Sequence, residues 1–297
     1  MQHDAIILGG SYAGMAAALQ LARARRRVLV IDAGQRRNRY AHASHGFLGR
    51  DGAAPGAIAA EAREQLLAYP TVAWVDGRAE AVSGTMDSFR IGLADGTVHH
   101  GRRVVLAIGL VDQLPDLPGL SERWGRSVFL CPYCDGYELD QQALGVLATG
   151  PSWFHQAMLI AEWGPTTVFT QDQTADSDQR SALTVRGVAI EEARVTAVEG
   201  EHATLVLADG RSVPVRGLFL VPRTRFANDL AGGLGCALEE GPMGPFIRTD
   251  GRKATSVPGV FACGDAARGA GSVSLAVGDG AMAGAAAHQS LVFPPAA

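Results

Sequence analysis

The sequence predicts an α/β protein of two related α/β domains, the first of them discontinuous. "DAIILGG", "SYAGMAAALQLARARR" and "RVLVIDAG" follow one another as apolar strand, glycine turn, helix and apolar strand. The same order returns with "LGVLATG", "PSWFHQAMLIAEWG" and "PTTVFTQD", 139 residues further on. A second repeat, marked by the hairpin turns Asp95-Gly96 and Asp209-Gly210, has an offset of 114 residues.

The difference between these offsets makes the first copy about 25 residues longer than the second. The extra residues fall most naturally within "QRRNRYAHASHGFLGRDGAAPG", residues 35–56, and a loop of that length usually covers a ligand. After the second copy, "TSVPGVFACGDAARGAGSVSLAVGDGAMAGAAAHQSL" resembles neither end of the second domain, so we interpret it as a return into the first. We therefore expect a first domain of residues 1–116 and 242–297 and a second of residues 117–241.

The composition is that of a globular protein with room for two cores, since 47% of its 297 residues are hydrophobic and 19% are charged. Its net charge is −4, and its one basic run, "RARRR", suits the end of a helix, so nucleic acid is not an expected partner. The N-terminus lacks the features of a signal peptide, and no apolar run reaches the ~20 residues of a membrane span. We expect a cytoplasmic protein that does not contact membranes.

The first glycine turn, "GGSYAG", has the spacing of a dinucleotide-binding fingerprint, with Gly9 and Gly14 at its ends and Ser11 in the middle position. Small residues there let backbone amides approach a pyrophosphate at a helix N-terminus, and the serine adds a hydroxyl donor. Asp32 follows Gly9 by 23 residues, near the spacing of a ribose-binding carboxylate. A tight turn before a packed helix would explain Gly14 without a ligand, but it would not explain Asp32.

The second turn, "ATGPSW", keeps Gly150 but has Ala148 and Trp153 where the first copy has Gly9 and Gly14. We expect the bulky ring to occupy the space in which a pyrophosphate would sit. The following "FTQDQTADSD" offers Asp172 for an NADH ribose, but it has no arginine for the 2′-phosphate of NADPH until Arg180. The favoured interpretation is a duplicated fold whose nucleotide site has been lost or filled.

A C-x-x-C pair, Cys131 and Cys134 in "CPYCDGYE", is the third motif. Zinc would need two further ligands, and the chain's other two cysteines are single, so no metal site is expected. A disulfide across two residues would constrain the unfolded chain very little. A redox pair is the best interpretation, because Pro132 suits the first turn of a helix and would place Cys131 at its N-terminus, where a thiolate is stabilised. Asp135 would then shuttle the proton of thiol-disulfide exchange.

Together, "IILGGSYAG", "VIDAG", "VVLAIG", "CPYCDGYE" and "VPGVFACGD" resemble the low-molecular-weight thioredoxin reductases in order and spacing across essentially the whole chain. The resemblance implies two Rossmann-like domains, FAD in the first, an NADPH-type domain carrying the C-x-x-C, and a homodimer. It implies that Cys134 faces the flavin, that Cys131 exchanges with substrate and that Asp135 is the acid/base. The residues that it implies for FAD binding are Gly9, Ser11, Gly14, Asp32, Gly109, Asp265 and Val273.

Three departures from this family decide the expected direction of electron flow. Its NADPH-using members carry G-x-G-x-x-A and H-R-R-x-x-x-R where this chain has "ATGPSW" and "FTQDQTA", and their Arg-Gln before the last helix is replaced here by Gly271 and Ser272. These losses resemble the dithiol oxidases that close the disulfides of gliotoxin, holomycin and romidepsin. The implied path runs from a small-molecule dithiol to the cysteine pair, then to FAD and then to O2, which gives H2O2.

Two other functions remain open at this point. One is a thioredoxin-type disulfide reductase that receives electrons from NAD(P)H or from another donor such as ferredoxin. The other is a flavin-containing redox sensor without turnover. His45, in "HASHGFLGRDG", is a candidate base or substrate contact, although a loop histidine held by the backbone is an equally good interpretation.

Overall fold

A computed structural model describes residues 2–293, which form two compact units. The first unit contains the chain up to Arg39, the segment Pro55–Val111 and the chain from Thr224 onward. The second contains Tyr40–Ala54 and Asp112–Arg223. The first unit is discontinuous, and the two units differ from the expected domains at two places: the chain returns to the first unit at residue 224 instead of 242, and the loop at 40–54 clusters with the second unit.

Packing explains both differences. Leu230, Ala231 and Cys236 are buried in the core of the first unit, so the chain has already returned there well before residue 242. The loop joins the second unit because Tyr40 lies against Gly125, where a Cβ would come within 2.8 Å of the tyrosine Cβ. The apolar pattern marks strands and helices, but it does not show which core a short apolar segment enters.

The N-terminal part of the first unit alternates strands and helices and then forms an antiparallel extension. Its strands are mostly buried and rich in Val, Ile and Leu, as expected of a sheet covered on both faces. The elements are β1 (Gln2–Leu8), α1 (Tyr12–Arg23), β2 (Val28–Asp32), α2 (Pro55–Leu67), β3 (Val72–Asp76), β4 (Ala79–Ser83), β5 (Phe89–Leu93) and β6 (Val98–Leu106). The chain leaves the unit at β7 (Val111–Gln113).

The second unit repeats this plan on a smaller scale. A five-stranded parallel sheet has the order β11-β10-β9-β15-β8, and an antiparallel sheet has the order β12-β13-β14. Its elements are β8 (Val128–Phe129), α3 (Pro132–Asp135), β9 (Leu144–Leu147), α4 (Trp153–Ile160), β10 (Thr166–Phe169), α5 (Ser177–Val185), β11 (Ala189–Glu191), β12 (Val195–Glu199), β13 (Ala203–Leu207), β14 (Ser212–Val215) and β15 (Gly217–Phe219).

The returning chain completes the first unit with one more parallel strand and a long helix. The elements are β16 (Arg223–Arg225), α6 (Leu230–Gly233), β17 (Leu238–Gly241), β18 (Gly244–Ile247), β19 (Val260–Ala262) and α7 (Val273–Val292). The large sheet then has the order β3-β2-β1-β6-β5-β4, and β19 pairs with β6 in parallel. No helix within residues 2–293 is both long and apolar enough to span a bilayer.

Helix α7 packs directly on the backbone of α1. A Cβ at Gly280 would come within 2.1 Å of the Ala13 carbonyl oxygen, and a Cβ at Gly284 within 2.3 Å of the Ala17 carbonyl oxygen. The small residues of "VGDGAMAGAAA" therefore allow a close helix-helix approach, as the sequence suggested. This contact fixes the start of α1, where the first nucleotide fingerprint lies.

Candidate active site

The residues expected to bind FAD lie at one edge of the large sheet. Gly9 follows β1, Asp32 ends β2, Gly109 follows β6 and Asp265 follows β19, and these four strands are parallel neighbours. The chain order reverses at β1, which lies between β2 and β6. Ligands of open α/β sheets bind beyond the carboxyl ends of the strands at such a switch point.

The turn between β1 and α1 is built for a close approach of backbone and ligand. Gly9 has φ +104°, and a Cβ at Gly14 would come within 1.8 Å of the Gly9 carbonyl oxygen, so neither position tolerates a side chain. Ser11 is the N-cap of α1 in extended conformation, but its side chain accepts no capping hydrogen bond. The positive end of α1 therefore suits a pyrophosphate.

Asp32 has a role in this turn that the sequence did not suggest. Its Oδ1 accepts a hydrogen bond from the backbone N–H of Gly10 at 3.0 Å, so the carboxylate ties β2 to the turn. Beside it lies an open cleft of about 320 Å³. The cleft is lined by Asp32, Ala33, Gly34, Asp76, Gly77 and Arg78. This cleft and the glycine turn fit the ribose and pyrophosphate of a dinucleotide such as FAD.

Asp265 is paired with Arg37, which none of the sequence motifs singles out. The guanidinium nitrogen lies 3.0 Å from Oδ2 of Asp265, and both side chains are 21% exposed. A Cβ at Gly271 would come within 2.0 Å of Oδ1 of the same aspartate. Gly271, which the sequence marks as the loss of an arginine, thus makes room for this carboxylate. The arginines of "QRRNR" were the available signal for an ion pair of this kind.

The last two residues expected to bind FAD are Gly109 and Val273. Gly109 has open space beside its backbone, and Val273 lies at the capped start of a helix. Gly109 has φ +63°, and no atom lies within 4 Å of the place that a Cβ would take, which leaves its backbone accessible. Val273 is the first residue of α7, and Ser272 caps that helix by accepting a hydrogen bond from the Leu275 N–H at 3.2 Å. Ser272 therefore stabilises the helix end that the resemblance places beside the flavin.

The second nucleotide turn differs from the first in its backbone. Neither Ala148 nor Gly150 has the positive φ of Gly9. Trp153 starts α4 and is 5% exposed, packed in the core with Val146 and other apolar residues. The ring is part of the apolar core of the second unit, and the expectation that it also fills the pyrophosphate space stays a prediction. A tryptophan at this position prevents the close contact between helix and turn that Gly14 makes in the first copy.

The charged residues after β10 are engaged with one another. Asp172 pairs with Arg194 at 2.7 Å, and Arg180 pairs with Glu192 at 2.5 Å. Each arginine is thus paired with a carboxylate. Neither is left as a free cation for the 2′-phosphate of NADPH. The altered turn and these pairs agree with a nucleotide site that has been lost.

The cysteine pair begins a short helix, as Pro132 predicted. Cys131 is the N-cap of α3 in extended conformation, and Pro132 is its first helical residue. The backbone N–H of Cys134 donates to the Cys131 carbonyl at 3.2 Å. Below the helix, Gly136 lies against Trp163, whose ring also meets Tyr133 edge to face at 5.2 Å between centroids. This aromatic support holds the two partly exposed thiols in place.

The pKa values of the two thiols are shifted in opposite directions. A hydrogen bond from the Cys134 thiol, followed by those from the backbone of Cys134 and Tyr133, lowers the pKa of Cys131 to about 7. The pKa of Cys134 is raised, first because its hydrogen is shared with Cys131, and then by burial and by the charges of Cys131 and Asp135. These shifts favour Cys131 as the thiolate of the reduced pair and Cys134 as the thiol that keeps its proton.

Asp135 is placed to exchange a proton beside this pair. Burial, the Cys131 thiolate and Glu138 raise the pKa of its carboxyl to about 7, while the charge of His45 opposes them. A group with a pKa near neutrality is effective as both acid and base. His45 lies on the same side, with Nδ1 3.4 Å from Oε1 of Glu138. The structure thus brings Cys131, Cys134, Asp135 and His45 together in the second unit.

The other two cysteines lie away from this chemistry. Cys236 and Cys263 are buried in the first unit, and burial raises the pKa of Cys263 to about 12. Across residues 2–293, no group of three or more His, Cys, Asp or Glu side chains is arranged to hold a metal ion.

Known proteins resemble the chain over nearly its whole length. Residues 3–280 match the family described as pyridine nucleotide-disulphide oxidoreductase. Thioredoxin reductase tcpT of Claviceps purpurea is 32% identical over 306 residues, which cover 97% of this chain and 94% of that protein. Among solved structures, an oxidoreductase from Agrobacterium tumefaciens has a TM-score of 0.97 and 54% identity, covering 99% of this chain and all of that one. HlmI has a TM-score of 0.91 and 38% identity, with coverages of 98% and 93%.

These matches confirm the predicted fold class of two Rossmann-like domains and the prediction of FAD as cofactor. They also confirm the resemblance to the thioredoxin reductases. The chain belongs to the pyridine nucleotide-disulphide oxidoreductase family and is a thioredoxin reductase-like flavoenzyme that binds FAD.

Proposed function

We propose that the protein is an FAD-dependent dithiol oxidase that forms a disulfide in a small-molecule dithiol and passes the electrons to O2. The observation that carries this proposal is the second nucleotide turn, where Trp153 takes the place of Gly14 and the positive φ is missing. A flavoenzyme without a nicotinamide site must receive electrons elsewhere, and a dithiol is the donor that a redox cysteine pair accepts.

We assign FAD to the first unit and the redox pair to the second, which has the form of a degenerate NADPH domain. Gly9, Ser11 and Gly14 hold the pyrophosphate at the start of α1, and Asp32 lies at the ribose. The ribityl chain takes Asp265, and the backbone of Gly109 and Val273 borders the flavin. When bound, FAD accepts two electrons from the cysteine pair and transfers them to O2, which gives H2O2.

The cysteines divide the exchange between them. A substrate thiolate attacks Sγ of Cys131 in the disulfide form, breaking the S–S bond and releasing Cys134, which takes up a proton from Asp135. The second substrate thiol loses its proton to Asp135 and attacks the first substrate sulfur, so that Cys131 leaves as a thiolate. Its lowered pKa makes it the better leaving group. Counting the proton that the first substrate thiol releases to solvent when it ionises, the substrate has lost two electrons and two protons, and the cysteine pair is reduced.

The experiment is an anaerobic comparison of electron donors by flavin absorbance. We expect dithiothreitol to bleach the flavin and NADPH or NADH not to do so, and we expect peroxide to accumulate with dithiols when O2 is admitted. A panel of small-molecule dithiols in the peroxide assay then ranks substrates. Rapid bleaching by NADPH would instead establish a thioredoxin-type reductase, and Cys134→Ser with unchanged oxygen consumption would favour a sensor.

We also propose a homodimer and a cytoplasmic location. The homodimer is supported by the outer face of α7, where Leu275 and Met282 are 42% and 47% exposed although both are apolar. The location is supported by the cysteines, since none of the four is in a disulfide and only two are set apart for redox chemistry. Light scattering of the purified flavoprotein tests the first proposal, because a monomer at micromolar concentration would contradict it.

A further inference from the structure

Four ionisable side chains form a cluster beside the cysteine pair, and two of them come from the loop at 40–54. His45 Nδ1 lies 3.4 Å from Oε1 of Glu138 and 3.7 Å from Oδ1 of Asp51. The exposed fraction rises from 24% for the His45 side chain to 43% for Glu138 and 69% for Asp51. The fourth member, Asp135, is partly buried and lies on α3, the helix that carries the cysteine pair and is called the cysteine helix below. The cluster thus connects the redox pair with solvent.

The loop is braced so that His45 has a defined place. The backbone N–H of Ser44 donates to the Ala53 carbonyl at 2.8 Å, which closes the base of the loop. Within it, the N–H of Gly46 donates to Oδ1 of Asp51 at 2.7 Å. Asp51 therefore shapes the turn after His45 and also faces its imidazole. A loop built in this way positions a side chain instead of merely connecting two elements.

The charges around Asp135 compete. Burial, the Cys131 thiolate and Glu138 all favour the protonated carboxyl, whereas the charge of His45 favours the carboxylate. Glu138 has two effects on Asp135. Its charge favours the protonated carboxyl directly, and it also holds the imidazole of His45, whose charge has the contrary effect. Without His45, the acidic groups would keep Asp135 protonated to higher pH.

We propose that His45, held by Glu138 and Asp51, is a positioning residue that keeps Asp135 ionisable beside the cysteine pair. Asp135 then takes the proton that Cys134 must lose when the pair is reoxidised. In that step the S–S bond forms, two electrons leave for the flavin, one proton passes from Cys134 to Asp135, and Cys131 has no proton to lose. The inference rests on the proposed use of the pair as a redox couple.

The first test observes Asp135 directly in the reduced holoenzyme. Infrared spectra are recorded across pH after reduction of the cysteines with a phosphine, and the protonated carboxyl band absent from Asp135→Asn is followed. We expect a midpoint at about pH 7 in the wild type. In His45→Gln the midpoint should rise by roughly one pH unit, because an opposing charge is lost. In His45→Arg, which places a permanent cation there, the midpoint should not rise.

His42→Gln is the matched control, since His42 is an exposed histidine of the same loop, and its midpoint should equal that of the wild type. An unchanged midpoint in His45→Gln would overturn the inference, as would equal shifts in His45→Gln and His45→Arg. Flavin absorbance and circular dichroism show that each variant is folded. Because the infrared titration does not depend on electron direction, it tests His45 even if dithiothreitol fails to reduce the flavin and the proposed function is lost.

The second test is a double-mutant cycle on the pH profile of anaerobic flavin reduction by dithiothreitol. His45→Gln should shift the profile to higher pH while leaving the rate at its alkaline plateau within twofold of the wild type. In the Asp135→Asn background, the same substitution should have no further effect on the profile. A pH-independent loss of rate in His45→Gln, or a shift that persists without Asp135, would contradict action through Asp135.

Discussion

Gly14 packs so closely on Gly9 that a Cβ at residue 14 would come within 1.8 Å of the Gly9 carbonyl oxygen. We therefore expect Gly14→Ala to force α1 away from its turn and to reduce FAD content at least tenfold, measured as the ratio of flavin to protein absorbance. Gly233→Ala is the matched control, because no atom lies within 4 Å of a Cβ there and the residue lies in α6 without a positive φ. The control should retain its flavin and gain about 0.5–1 kcal/mol of stability.

Cys131 should be the first thiol to be alkylated in the reduced protein. Its pKa of about 7 makes it largely thiolate at pH 8, whereas burial raises the pKa of Cys263 to about 12. Peptide mapping after brief iodoacetamide treatment should find Cys131 modified and Cys263 intact. In Cys134→Ala the pH midpoint of the reaction should move upward, because the thiolate loses its main hydrogen-bond donor. Preferential labelling of Cys134 would contradict the assigned roles.

Ionisation of the Asp135 carboxyl should lower the stability of the folded protein as the pH rises. Its ordinary pKa of 3.8 applies to the unfolded chain and about 7 to the reduced folded protein. Between these values the folded protein binds more protons, so stability falls with rising pH and the loss is complete above pH 7. We expect Asp135→Asn to be more stable than the wild type by about 2 kcal/mol at pH 8, allowing for partial solvent screening. At pH 4 the advantage should vanish in chemical denaturation, and a pH-independent difference would refute this explanation.

We expect Trp153 to stabilise the core of the second unit and not to be the sole obstacle to NADPH binding. Its ring is 5% exposed in the core of the second unit, so Trp153→Ala should destabilise the protein by about 3–5 kcal/mol. The substitution should not create NADPH oxidation, because the backbone of the turn also lacks the positive φ found at Gly9. Val185→Ala, at an 87% exposed apolar position, is the control and should change stability little. NADPH-dependent bleaching in Trp153→Ala would mean that the ring alone blocks the site.

Local patterns in the sequence predicted the fold and the elements that carry the candidate site residues. The duplicated strand, turn and helix order, the glycine spacing and Pro132 each reflect a requirement within a few residues, and the structure places the corresponding elements as expected. The roles of Asp32 and Arg37 were missed because they depend on partners 22 and 228 residues away. The same limit applies to the loop at 40–54, whose association with the cysteine helix is a tertiary contact.

The close packing of α7 on α1 has a consequence for the order of events during protein synthesis. The ribosome makes α1 before most of the second unit and α7 after it, so the nucleotide turn waits for its supporting helix while the second unit is synthesised. All segments of the second unit leave the ribosome before α7 is made. The helix α3, which carries the cysteines, can thus assemble while the flavin site is incomplete, and loading of the cofactor becomes a step that follows the synthesis of α7.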